Sequence, residues 1–78
     1  MSRLPSLSSR EIIHALRHAG FVEAPDRGKG SHRAFVRIDD TGRTRLVIVP
    51  QGRDIPRGTL LAIIEQTGWS REEFLRLL

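Results

Sequence analysis

His32-Arg33-Ala34-Phe35-Val36-Arg37-Ile38, then Asp39-Asp40-Thr41-Gly42-Arg43, then Thr44-Arg45-Leu46-Val47-Ile48-Val49 is the stretch that decides the fold. From His32 to Ile38 the residues alternate, with Ala34, Val36 and Ile38 on one side and Arg33, Phe35 and Arg37 on the other, as in a half-buried strand. Asp39 to Gly42 carries turn residues, and Thr44 to Val49 is rich in β-branched side chains until Pro50 stops it. The pattern predicts an antiparallel hairpin. Upstream, Phe21-Val22-Glu23-Ala24 is a short apolar run ended by Pro25, which predicts a first strand, and Asp26-Arg27-Gly28-Lys29-Gly30-Ser31 reads as a flexible cationic loop.

Helices flank this sheet on both sides in sequence. In Leu7-Ser8-Ser9-Arg10-Glu11-Ile12, Ser8 and Glu11 have the spacing of a capping box, and Leu7 is placed to pack on Ile12 as a staple. Ile12, Ile13, Leu16 and Ala19 then share one helical face and Gly20 closes it, so the spacing predicts a helix over 9–19. After the polar connection 51–58, Leu60, Leu61, Ile63 and Ile64 form a second apolar stripe ended by Gly68. Ser70 and Glu73 repeat the capping box, with Trp69 and Phe74 as a staple, and a short last helix carries Phe74, Leu75 and Leu78. Trp69 is expected to be partly buried.

The order is α-β-β-β-α with a short C-terminal helix, an α+β fold. Three short strands cannot bury both faces, so the two main helices are expected together on one face of the sheet. With Ala34, Val36 and Ile38 turned to the helices, Arg33, Phe35 and Arg37, joined by Arg45, would form a basic open face.

Composition narrows the function. A chain of 78 residues has room for a single small domain, 1–78, and not for a multi-domain enzyme. Leu, Ile, Val and Phe account for 23 of the 78 residues, enough for a core. Uninterrupted apolar runs are far too short to span a bilayer, and Met1-Ser2-Arg3-Leu4-Pro5 lacks the apolar core of an export signal, so the expected location is cytoplasmic. The absence of cysteine removes disulfides, thiolate metal sites and thiol nucleophiles. Between Arg27 and Arg57 lie eight basic residues against three acidic ones, a local excess of +5 in a chain whose net charge is +4. Such a surface favours a polyanion, nucleic acid before an acidic protein.

Few residues can do chemistry. His14 and His18 are four apart on the first helix, but no third metal ligand is spaced to join them. Gly28-x-Gly30 is too short for a dinucleotide fingerprint, and the Walker pattern is absent. His32 stands apart, at the junction of a flexible basic loop and a strand, within short reach of several cations. A histidine exchanges protons near neutral pH. RNA carries its own nucleophile in the 2′-hydroxyl, so one proton-transfer group and nearby cations suffice to break the strand, with no metal or cofactor.

The layout as a whole resembles the HicA family, small mRNA-interferase toxins of bacterial toxin–antitoxin pairs. The residues that carry the resemblance are Gly30-Ser31-His32 opening a strand, Val49-Pro50, Asp54-Ile55-Pro56-Arg57-Gly58-Thr59-Leu60, Ile63-Ile64 and Gly68-Trp69-Ser70-x-x-Glu73-Phe74. The resemblance implies a fold like that of double-stranded-RNA-binding domains and metal-independent cleavage of mRNA. It places the catalytic histidine at His32 and implies a HicB-type antitoxin as partner. It departs from the family at one point: many relatives carry a second histidine two residues after the strand-ending proline, where this chain has Gln51 and Gly52 after Pro50. The expected RNA contacts are Lys29, Arg27, Ser31, Arg33, Arg37 and Arg45. The alternative is an RNA-binding module that does not cleave, and a third reading is a domain whose positive surface serves only an acidic protein.

Overall fold

The computed structural model describes residues 3–78; the first two residues of the segment read above for an export signal, Met1 and Ser2, lie outside them. Its elements are α1 (Ser9–His18), β1 (Val22–Glu23), β2 (Arg33–Ile38), β3 (Thr44–Val49), α2 (Arg57–Thr67) and α3 (Arg71–Leu75), with a single 3₁₀ turn at Pro25–Arg27. The three strands form one antiparallel sheet in the order β1-β2-β3. This is the α-β-β-β-α arrangement expected, with the short third helix at the end. No helix among the described residues is long and apolar enough to cross a membrane.

Local chemistry explains the boundaries. Ser8 accepts the Glu11 amide at 3.1 Å while the Glu11 carboxylate accepts the Ser8 amide at 3.0 Å, closing the first capping box. Ser70 and Glu73 do the same for α3. Each glutamate is held below its ordinary pKa, chiefly by the capping serine's amide. Gly68 ends α2 with φ of +83°. In the hairpin turn the Asp39 carbonyl accepts the Gly42 amide at 2.9 Å, and the Asp39 carboxylate adds bonds from the amides of Thr41 and Arg43.

The core lies between the helices and one face of the sheet. Ile12, Leu16, Phe21, Phe35, Val47, Leu60, Ile63 and Phe74 are essentially inaccessible to water. Each such side chain contributes about 1.5–3 kcal/mol on burial, set against the entropy of ordering the chain. Trp69 is half-buried against this cluster, edge-on to Phe21 at 5.6 Å.

The sidedness of the sheet is the reverse of that expected. In the register Phe35 stands opposite Val47 and Arg33 opposite Val49, so the face that meets the helices carries Arg33, Phe35 and Arg37 with Arg45, Val47 and Val49. Ala34, Val36 and Ile38 lie on the other face, where Ile38 is 70% exposed. The reason is volume: both faces of β2 are partly apolar, but only Phe35 fills the space between two helices. The flanking arginines reach the rim on their apolar stems.

Candidate active site

Lys29-Gly30-Ser31-His32 forms a tight reversal that feeds β2. Lys29 and His32 make an isolated antiparallel bridge, and the His32 amide donates to the Lys29 carbonyl at 2.9 Å. Gly30 takes φ of +58°, a left-handed conformation that glycine adopts without strain. Directly opposed residues of an antiparallel pair project to the same side. Lys29 and His32 therefore stand directly opposite one another across this turn, and both residues are exposed. Ahead of them the chain passes so close to the start of β2 that a Cβ on Gly28 would stand 2.7 Å from the His32 carbonyl oxygen. Arg27, in the 3₁₀ turn, is also exposed, and among the described residues neither Arg27 nor Lys29 has a carboxylate within ion-pairing distance.

Ser31 and Arg33, on alternate positions from His32, turn the other way. They line a cleft of about 270 Å³ whose remaining walls include Arg10, Ile13, Pro50 and Gln51. The cleft exists because the start of α1 is tied to the connection after β3: the Ser9 amide donates to the Gly52 carbonyl at 2.9 Å, and the Ser9 hydroxyl meets the same backbone. Gln51, which follows Pro50, sits in this wall.

The remaining expected contacts fall on the helix side of the sheet and are already engaged. Arg33 grips Glu23 with two bonds, Nε to Oε2 at 2.9 Å and Nη2 to Oε1 at 2.7 Å, and Arg17 joins the same carboxylate at 3.2 Å. The Arg33 bond is the main reason the Glu23 carboxyl sits below its usual pKa. The guanidiniums of Arg17 and Arg33 each lie 5.6 Å from the centre of the Phe35 ring. Arg37 covers Trp69 at 5.8 Å and lies 3.9 Å from Asp40. Arg45 donates to Asp39 at 3.0 Å. Asp39 is held well below the carboxylate range, first by the Thr41 hydroxyl and then by Arg45 and two amides, which together outweigh its partial burial. The expected basic open face of Arg33, Phe35, Arg37 and Arg45 is therefore absent: Phe35 is core, and each of the three arginines has an acidic partner.

The structure thus divides the expected residues into two groups. Arg27, Lys29, Ser31 and His32 gather at the turn, with Arg33 beside them at the cleft; Arg37 and Arg45 lie further along the hairpin, braced to its turn. Arg10 and Gln51 are additions. Arg10 stands outside the basic middle of the chain, and nothing local in the sequence brings it to Ser31. His14 and His18 are exposed on α1, and no cluster of three potential metal ligands occurs among the described residues.

What this geometry offers is a proton-transfer group beside a cation at an exposed, glycine-built turn, next to a cleft with further cations and hydroxyls. No curated protein matches the chain. A family model described as HicA toxin of bacterial toxin–antitoxin matches residues 9–69, from the start of α1 through the turn and the hairpin to Trp69. The chain belongs to the HicA toxin family of bacterial toxin–antitoxin systems.

Proposed function

We propose that this toxin is a metal-independent endoribonuclease that cleaves mRNA, with His32 as its general acid or base. The observation that carries the proposal is the Lys29–His32 pairing across the Gly30-Ser31 turn, exposed and with no carboxylate in ion-pairing reach among the described residues. In the reaction a base takes the proton of the 2′-hydroxyl, and O2′ attacks the adjacent phosphorus. The bond to the 5′-oxygen of the next nucleotide breaks, and that oxygen takes a proton. A 2′,3′-cyclic phosphate and a 5′-hydroxyl are left. His32 supplies one of these two proton transfers, and Lys29 offsets the charge that builds on the phosphorane. Arg27 holds a neighbouring phosphate, while Ser31 and Arg10 receive the strand where it passes from the turn to the cleft, and Arg33, tied to Glu23, forms part of the cleft wall.

The reaction is set in the cytoplasm, and the toxin's partner is a HicB-type antitoxin. Replacing His32 with Ala tests the mechanism. The variant should keep its circular dichroism spectrum and RNA affinity, and should lose at least about a hundredfold in cleavage rate, the lower end of what a positioned acid or base contributes. A variant as active as the parent would refute it. If wild type and variant both bind RNA in a salt-sensitive way and neither yields products, the protein is a binding module, the reading favoured by Gln51 and Gly52 in place of a second histidine.

A further inference from the structure

The outer edge of β3 is open. The Asp39 amide donates to the Arg43 carbonyl, which fixes the odd-numbered residues of β3 as those that bond to β2. The amides and carbonyls of Thr44, Leu46 and Ile48 therefore point away from the sheet. One of those amides is occupied: Ile48 donates to the Gln66 side chain of α2 at 2.9 Å. Thr44 and Leu46 amides have no acceptor among the described residues. Beside them runs a groove of about 450 Å³ between β3 and α2, lined by Arg43, Leu46, Ala62, Glu65 and Gln66.

This edge adjoins the sheet face that the helices leave bare. That face carries Val22, Val36, Ile38, Leu46 and Ile48, with Val22 61% and Ile38 70% exposed. Contiguous exposed apolar surface of this kind marks interaction sites. Leu46 belongs to both features, its backbone to the edge and its side chain to the face.

We propose that this edge receives an extended segment of an acidic partner protein as a fourth strand. Its backbone bonds to Thr44 and Leu46, alternate apolar side chains lie on the bare face beside Leu46, and an acidic residue reaches Arg43, which is exposed and outside every ion pair of the described residues. Gln66 ends the seat by holding Ile48. A second copy of the chain fits poorly. The two-fold pairing that uses only Thr44 and Leu46 sets Arg45 opposite its own counterpart and draws both Arg43 side chains to the seam, between chains that each carry +4. Nucleic acid fits poorly as well, because the bare face offers hydrocarbon while Arg33, Arg37 and Arg45 lie on the opposite one. In a toxin–antitoxin pair the strand comes from the antitoxin; that attribution rests on the family's biology, not on the role of His32.

The test uses the full chain, labelled with ¹⁵N, and a synthetic octapeptide of alternating valine and glutamate, with the valine–lysine peptide as control. The acidic peptide should shift the Thr44 and Leu46 amide signals and slow their hydrogen exchange at least about tenfold, while the basic one does neither. Leu46→Pro removes an outward amide without touching the ladder to β2, and Ile38→Glu puts a charge of the peptide's own sign on the bare face; both should remain folded, the first losing the response and the second weakening it. Several results would overturn the proposal: no response at millimolar peptide, equal response to both peptides, or shifts confined to residues 27–33. Protection of the same amides by self-association would assign the edge to a second copy, and protection by an RNA oligonucleotide would assign it to nucleic acid. His32→Ala should respond to the peptide as the parent does, which separates failure here from failure of the nuclease reading.

Discussion

Replacing Phe35 with a smaller residue while separately truncating Ile38 distinguishes the two possible faces of the sheet. Phe35 is completely buried, so Phe35→Ala removes a full core ring and should cost about 3–5 kcal/mol. At roughly 0.05–0.15 kcal/mol per residue, a chain of 78 residues has about 4–12 kcal/mol in all, so this variant sits near the edge of folding. Phe35→Leu keeps much of the volume and should cost about 1–2 kcal/mol, which leaves a measurable transition. Ile38 is 70% exposed, so only about a third of its transfer energy is at stake and Ile38→Ala should cost less than about 1 kcal/mol. Urea titration followed by circular dichroism and Trp69 fluorescence reads all three. With m near 1–2 kcal/mol per molar for so small a domain, Phe35→Leu moves the midpoint by roughly 1 M and Ile38→Ala by clearly less. If Ile38→Ala proves as costly as Phe35→Leu, the helices pack on the other face and the ion pairs described above do not form.

Arg10→Ala should weaken RNA binding by a uniform factor across sequences and lower the slope of log affinity against log salt by about 1, measured by fluorescence anisotropy in a salt series. Gly28→Ala places a methyl 2.7 Å from the His32 carbonyl, so the backbone of the turn must shift; it should reduce cleavage far more than Arg10→Ala does and lower Tm as well, and an active variant would show that the turn tolerates displacement. The folded-state pKa values of Glu23 and Asp39 lie below their unfolded values, so their contribution to stability is complete above about pH 5, where both groups are ionised even in the unfolded chain, and is lost as pH falls through the lower folded-state values. Stability from denaturant titration should therefore be insensitive to these groups between neutral pH and about pH 5 and fall in stronger acid, and Asp39→Asn should flatten that fall.

Capping boxes and turns were legible in the sequence because each is settled within four or five neighbouring residues: Ser8 with Glu11, Ser70 with Glu73, Asp39 with Gly42. The face of β2 was not legible from alternation, because Ala34, Val36 and Ile38 form the more regular apolar row. Phe35 wins by size, once the register sets it against Val47 and between two helices. The arginines misled for a related reason. Whether Arg33 is available to RNA depends on Glu23, ten residues earlier and brought alongside only by the β1–β2 pairing. The residues from Lys29 to His32 stood together in the sequence but read as a flexible loop; the tight reversal comes from the Lys29–His32 bridge and the left-handed Gly30. The cleft beside it was not legible either, since it needs the bond between Ser9 and Gly52, 43 residues apart.

The arginines stacked on Phe35 and Trp69 bear on how the protein is to be handled. At about 1 M salt the screening length shrinks to roughly 3 Å, which strips phosphates from exposed cations such as Lys29 and Arg27. Arg17, Arg33 and Arg37 also lie over aromatic rings, and Arg17 and Arg33 hydrogen-bond Glu23, so these contacts do not rest on charge alone, while the core beneath them is apolar and does not depend on charge. A concentrated salt wash therefore separates the polypeptide from co-purifying nucleic acid without loosening its architecture.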